Sequence, residues 1–90
     1  MEKSCDHIKE VNVNIEPNTP EGCEECLKSG DKWVSLRKCL SCGHVGCCDS
    51  SKNKHATKHF HQTNHPIIQI YKEKPVWNWC YIDEVSVEFD

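Results

Sequence analysis

The chain predicts a small α+β domain: a twisted antiparallel sheet with one main helix, cross-linked by side-chain chemistry more than filled by a core. Three observations predict it. Between residues 23 and 65 the chain places two Cys-x2-Cys pairs, Cys47, and the spaced histidines His55, His59 and His65. Residues 52 to 60 are the best helical segment, and the remaining apolar residues fall in short runs of strand length. Ninety residues with 37% apolar and 8% aromatic content leave a thin core, and chains this short often need metals or disulfides to complete folding.

The elements follow in chain order. Val11-Asn12-Val13-Asn14-Ile15 alternates apolar and polar, which predicts an extended or edge strand with one buried face, and Pro17, Pro20 and Gly22 predict a connecting loop. Trp33 to Leu36 predicts a strand running into the second cysteine pair, and Val45 to Cys47 a short return strand beside it. Lys52 to Phe60 predicts the helix, with Ser50 or Ser51 as N-cap, because a serine oxygen can accept from a free first-turn amide. Thr63, Asn64 and Pro66 end it. Ile67 to Tyr71 predicts a further strand, Glu73-Lys74-Pro75 a turn, and Val76 to Ile82 a last strand. No repeat or low-complexity tract interrupts residues 1 to 90, which read as one domain.

The cysteines and histidines carry the chemistry. Zinc takes four soft or borderline donors at tetrahedral corners, and a two-residue gap lets one tight turn aim two thiolates at one ion. Cys23, Cys26, Cys39, Cys42, Cys47, His55, His59 and His65 make eight donors, enough for two complete sites. His55 and His59, spaced i and i+4, leave the same side of the helix. Sequential and crossed fillings are both compatible with the spacing. Outside this run, Cys5 and His7 together with Cys80 and Asp83 offer two sulfurs, one nitrogen and one oxygen, the right count for a third site joining the two ends. Three zinc ions are therefore expected, and two at minimum. Of the remaining candidates, Cys48 reads as a small buried hydrophobe or free thiol, His44 as a loop residue able to hydrogen-bond near a metal ligand, and His61 as a surface group or a support for a metal ligand.

Composition removes several function classes. The first ten residues lack the apolar stretch of a signal peptide, and no segment reaches the roughly 20 apolar residues of a membrane span. A reducing cytoplasm is the expected home, where closely spaced thiols hold metal more often than they form disulfides. The net charge is -3, and metal loading leaves it negative, so the electrostatic footprint of nucleic-acid binding is missing. Lys52, Lys54 and Lys58 read as a solvated helix face.

These residues resemble a ubiquitin-hydrolase-type (UBP-type) zinc finger over nearly the whole chain. The resemblance rests on Cys5-Asp-His7, Cys23-Glu-Glu-Cys26, Trp33-Val, Cys39-Leu-Ser-Cys42, Cys47, His55, His59, His65-Pro66 and Trp79-Cys80-Tyr81. It implies a crossed assignment: Cys23, Cys26, Cys47 and His55 on one ion, and Cys39, Cys42, His59 and His65 on a second. Cys5, His7, Cys80 and Asp83 are implied for the third, where the family usually has a cysteine in place of Asp83. The Cys-Cys-Asp-Ser run and the Cys-Tyr-Ile-Asp ending resemble compact stand-alone bacterial relatives.

For function, the resemblance implies a ligand pocket at Asp49, Trp79 and Tyr81. Family members that bind ubiquitin receive its diglycine carboxylate with an arginine and a tyrosine, where this chain has Asp49 and Ser50. A guanidinium clamps a carboxylate with two charge-assisted bonds, and an aspartate repels it. Binding of a ubiquitin tail is therefore expected to be weak at best. All well-spaced donors are consumed in closed sites, which points to a non-enzymatic, monomeric module that binds a protein or peptide. The competing expectation is a labile-zinc or thiol-based redox protein, using Cys48 or the site that contains Asp83.

Overall fold

A computed structural model describes residues 7, 9, 11–72 and 75–87. Five short strands form one antiparallel sheet in the order β2-β1-β3-β4-β5, with β1 Leu36–Cys39, β2 Val45–Cys47, β3 Ile67–Tyr71, β4 Asn78–Cys80 and β5 Val85–Val87. Two helices accompany it: α1 Glu24–Ser29 and the main helix, α2 His55–Thr63. The register pairs Arg37 with Gly46 on one side and Ile70 on the other, and Ile68 with Trp79. Among the described residues no helix is long and apolar enough to cross a membrane.

The interior is as much sulfur as hydrocarbon. One apolar cluster joins Cys23, Cys26, Leu36, Val45 and Cys47, with Trp33 and Tyr71 against it. A second joins Leu40, Ile67, Cys80 and Val87, with Val11, Val13 and Ile15 against it. Beside Leu40, Ile67 and Val45, the largest fully buried side chains are Cys23, Cys26, Cys39, Cys47 and Cys80. Free thiols would make a poor core for a domain this small, because each is small and offers only a weak hydrogen bond.

Several expected boundaries move, each for a local reason. Val11 to Ile15 keeps its alternating burial but is not a strand: Asn12 donates its backbone N–H to the Leu40 carbonyl, and the Asn12 side chain accepts from the Asn14 amide in a turn. The alternation records burial against the second cluster, not ladder pairing. β1 begins at Leu36 and not Trp33, since the Val34 amide donates to the Ser51 hydroxyl at 2.8 Å. That bond also explains why Ser51 does not cap α2. The helix starts three residues later than expected, after Lys54 in the left-handed region (φ 52) with no side-chain cap, and its first amide, on His55, points at the Cys47 sulfur at 3.2 Å.

The short α1 was not expected. Its signals are local: the Cys23 sulfur accepts from the Cys26 amide as an N-cap, Glu24 and Glu25 occupy the first turn, and Gly30 closes it at φ 81. The expected strand from Val76 to Ile82 is instead a hairpin of β4 and β5, whose turn holds Asp83 and returns the Glu84 amide to the Cys80 carbonyl. Glu73 and Lys74, expected as a turn, lie outside the described residues, as does Cys5.

Candidate metal centres and the groove beside them

The thiols and imidazoles sit at the turns and element ends of the fold. Cys23 and Cys26 flank the start of α1, Cys39 and Cys42 bracket the turn after β1, Cys47 closes β2, and His55 and His59 sit one helical turn apart on α2. His65 precedes β3 and Cys80 ends β4. Gly43 makes the turn after Cys42 possible: at φ 85 it returns its amide to the Cys39 carbonyl at 2.9 Å, and a Cβ there would collide with the Glu16 carbonyl. Gly46 lets β2 approach α2, since a Cβ would stand 2.6 Å from the Ala56 amide.

Three groups of donor atoms result, each with all its members within 4.8 Å of one another: Cys23, Cys26, Cys47 and His55; Cys39, Cys42, His59 and His65; and His7, Cys80 and Asp83. The grouping is crossed, because Cys47 and His55, which follow the second cysteine pair in the chain, complete the first pair, and His59 and His65 complete the second. A tetrahedral zinc with Zn–S near 2.3 Å and Zn–N near 2.0 Å sets sulfur and nitrogen about 3.5 Å apart. In the first group His55 Nδ1 lies 3.2, 3.4 and 3.5 Å from the sulfurs of Cys23, Cys26 and Cys47. In the second, His65 Nδ1 is 3.5 Å from Cys39 and His59 Nε2 is 3.4 Å from Cys42. These are the edges of a coordination tetrahedron, and two complete Cys/His clusters have the geometry and donor chemistry of zinc sites. The third has three described members, with His7 Nδ1 3.5 Å from the Cys80 sulfur and 3.2 Å from Asp83 Oδ2.

The electrostatics fit a cation in the clusters. Burial, reinforced by the neighbouring thiols, pushes Cys23 up to about 12, and burial pushes Cys39 up to about 11. Thiols this reluctant to ionise become ligands when a divalent ion supplies the compensating charge. Burial, followed by the neighbouring His44 and His65, lowers His59 to about 4, so it is the neutral imidazole a metal needs at pH 7.

His44 is the one buried histidine outside these groups. It is 5% exposed, donates from Nε2 to the Glu25 carboxylate at 2.8 and 2.9 Å, and stacks on the His59 ring at 4.0 Å with planes 6° apart. Burial alone would raise Glu25, but the His44 hydrogen bond and charge outweigh it and hold the carboxyl below its usual value. A single side chain therefore links the two complete clusters: it stacks on His59 of the second group and holds Glu25, which lies between Cys23 and Cys26 of the first.

On the side of the sheet near Tyr81, Arg37, Cys48, Asp49, Ile68, Trp77, Trp79 and Tyr81 line a groove of about 330 Å³. Asp49, Trp79 and Tyr81, expected from the sequence as a pocket, thus share one groove; Arg37 and Trp77 were missed. Arg37 is the only arginine in the chain; it pairs with Gly46 across β1 and β2, and its guanidinium lies 5.2 Å over the Trp77 ring. The opposite wall hangs on α2: Tyr81 stacks on Phe60 at 4.6 Å, its hydroxyl is 3.1 Å from the Thr57 hydroxyl, and Thr57 donates to Asp49 at 2.5 Å. Burial, with the Asp49 charge adding to it, raises the Tyr81 phenol above its ordinary value, so Tyr81 stays neutral. Cys48 is buried beside the Ser51 hydroxyl at 3.5 Å, and no histidine or carboxylate hydrogen-bonds to it among the described residues.

The chain belongs to the zf-UBP family, a Zn-finger in ubiquitin-hydrolases and other protein, whose profile matches residues 23–90. It is similar to a Rhodopseudomonas palustris protein solved by NMR, with 52% identity over 98% of this chain and 84% of that one and a TM-score of 0.88. It is also 37% identical, over 80% of its length, to a tenth of ubiquitin carboxyl-terminal hydrolase 14 of Schizosaccharomyces pombe. A third relative is the NAD-dependent deacetylase sir2A of Dictyostelium discoideum, 34% identical over 72% of this chain and 11% of the relative. The chain spans about a tenth of the length of these curated relatives. The same segment occurs in a hydrolase and in a deacetylase, so it is not what distinguishes either reaction. What this chain carries is the zinc-binding, non-catalytic module, in a form resembling a compact bacterial protein.

Proposed function

We propose that residues 1–90 are one zinc-held docking domain whose working surface is the groove between Arg37 and Tyr81, and that a protein or peptide segment docks there. The three donor groups hold structural zinc: Cys23, Cys26, Cys47 and His55 one ion, and Cys39, Cys42, His59 and His65 a second. Cys5 joins His7, Cys80 and Asp83 on the third. With each ion saturated by four protein ligands no coordination position is left open for a substrate, so the zinc shapes the surface and does no chemistry on a ligand.

The observation that carries the reading is the construction of the groove. Its lining comes from β1, the segment after β2, β3, and the stretch from Trp77 to Tyr81, and three of its residues are Trp or Tyr. Such concave, aromatic surfaces are where binding energy concentrates in protein contacts. A monomer in a reducing cytoplasm is the matching state, and the chain's negative charge disfavours nucleic acid. Selecting binders from a random-peptide display library with the zinc-loaded protein, then mapping one by amide and indole NMR shifts, tests the reading. Shifts centred on Trp77, Trp79 and Tyr81 are expected; no enrichment, or shifts confined to another face, would refute it.

A further inference from the structure

The groove holds one charge of each sign, and the two do not neutralise each other. Arg37 gives one N–H to the Leu36 carbonyl at 3.0 Å and lays its guanidinium over Trp77. Asp49 accepts only the Thr57 hydroxyl among the described residues. Neither charge forms an ion pair among those residues, although His44, Lys28, Lys52 and His7 all contact carboxylates elsewhere. Both line the same 330 Å³ groove, whose other lining residues include Ile68, Trp77, Trp79 and Tyr81.

We infer that this groove recognises a peptide segment carrying both an acidic and a basic group: a carboxylate set on Arg37 and an ammonium or guanidinium set on Asp49, with an apolar stretch over Trp79 and Ile68 between them. The inference rests on the docking reading above and says what that surface selects. The physical reason is desolvation. A segment that covers the groove removes water from both charges, and a buried charge left unpaired costs more than the apolar contact returns. A ligand with only a carboxylate, such as a plain diglycine tail, satisfies Arg37 and strands Asp49. One with only a cation does the reverse. The planar fork of Arg37, whose Cζ lies 5.2 Å from the Trp77 ring centroid, suits a carboxylate in particular. The aromatic rings beside Asp49 favour a cation at that end.

The test is a set of three display selections against zinc-loaded wild type, R37A and D49A, using one random-peptide library. Wild type is expected to enrich sequences with at least one Asp or Glu and one Lys or Arg, R37A to lose the acidic preference alone, and D49A the basic preference alone. For one selected peptide, replacing its basic residue with Ala should weaken binding to wild type at least tenfold and to D49A less than twofold, a cycle that isolates the pair. If a variant fails to fold, the same peptide replacements on wild type still decide. Peptides that dock in the groove but carry charge of one sign would overturn this inference and leave the docking reading standing. Failure to enrich any peptide in the groove would remove both.

Discussion

His44 is the residue whose removal should be felt at two metal sites that it does not ligate. His44→Ala deletes a buried ring that is hydrogen-bonded to Glu25 at 2.8 Å and stacked 4.0 Å over His59. The two losses are unequal. The Glu25 side chain is 41% exposed, so its freed carboxylate is taken up by water, and the first cluster loses only an anchor on its loop. His59 has no such recourse. It loses the ring that fixes its plane while its Nε2 must stay directed at the ion shared with Cys42. Removing a group that orients a ligand commonly costs 10- to 100-fold in metal affinity, about 1.4–2.7 kcal/mol. We expect a loss in that range at the Cys39, Cys42, His59 and His65 site, and about tenfold or less at the other. Competition with a chromophoric chelator, read by native mass spectrometry, separates the sites. His44→Phe keeps the stacked ring and drops the hydrogen bond, so it should restore the larger loss and leave the smaller. Affinities within twofold of wild type in H44A, or H44F no better than H44A, would refute the reasoning.

Three further outcomes follow from the same geometry. The thiols of Cys23 and Cys39 lie above neutrality, so metal binding releases their protons and zinc affinity rises with pH. His59, lowered to about 4, has no proton to release at neutral pH. Zinc affinity at both complete clusters should therefore climb between pH 7 and 8; chelator competition across that range checks it, and an affinity that does not change with pH would contradict thiolate ligation. Gly43→Ala forces a side chain into φ 85 and against the Glu16 carbonyl, and should cost roughly 1–3 kcal/mol. Thermal unfolding of zinc-loaded protein should then fall by several degrees, and an unchanged midpoint would contradict the close approach. Asp83→Ala should lower the count of bound zinc ions from three to two in native mass spectrometry, with three retained in both proteins telling against Asp83 as a ligand.

Much of the site was legible because metal ligation needs rare residue types at short spacings, and those survive errors in secondary structure. α2 starts three residues later than its sequence pattern indicates, yet His55 and His59 keep their i, i+4 relation and still face the cysteines. The crossed grouping was not in the spacing. It depends on β2 approaching α2 over Gly46, a contact between segments that periodicity does not encode, and it came from family resemblance. The strand expected at residues 11 to 15 failed because alternation reports which side chains are buried, and here the loop is buried on Leu40 and Ile67 without ladder bonds. The helix cap failed because the serine that could cap α2 binds the Val34 amide instead. In the groove, Asp49, Trp79 and Tyr81 were found by their place in a motif. Arg37 has no motif, and only its position on β1 brings it to Trp77; the signal that could have flagged it is that the chain has a single arginine.

The central claim is that the ions tie distant segments together in a crossed arrangement. Cadmium-113 substitution followed by proton–cadmium correlation NMR reads this directly, because cysteine Hβ protons couple to the ion their sulfur binds. One cadmium should couple to Cys23, Cys26 and Cys47, a second to Cys39 and Cys42, and a third to Cys5 and Cys80. A single cadmium coupled to Cys23, Cys26, Cys39 and Cys42 would contradict the account.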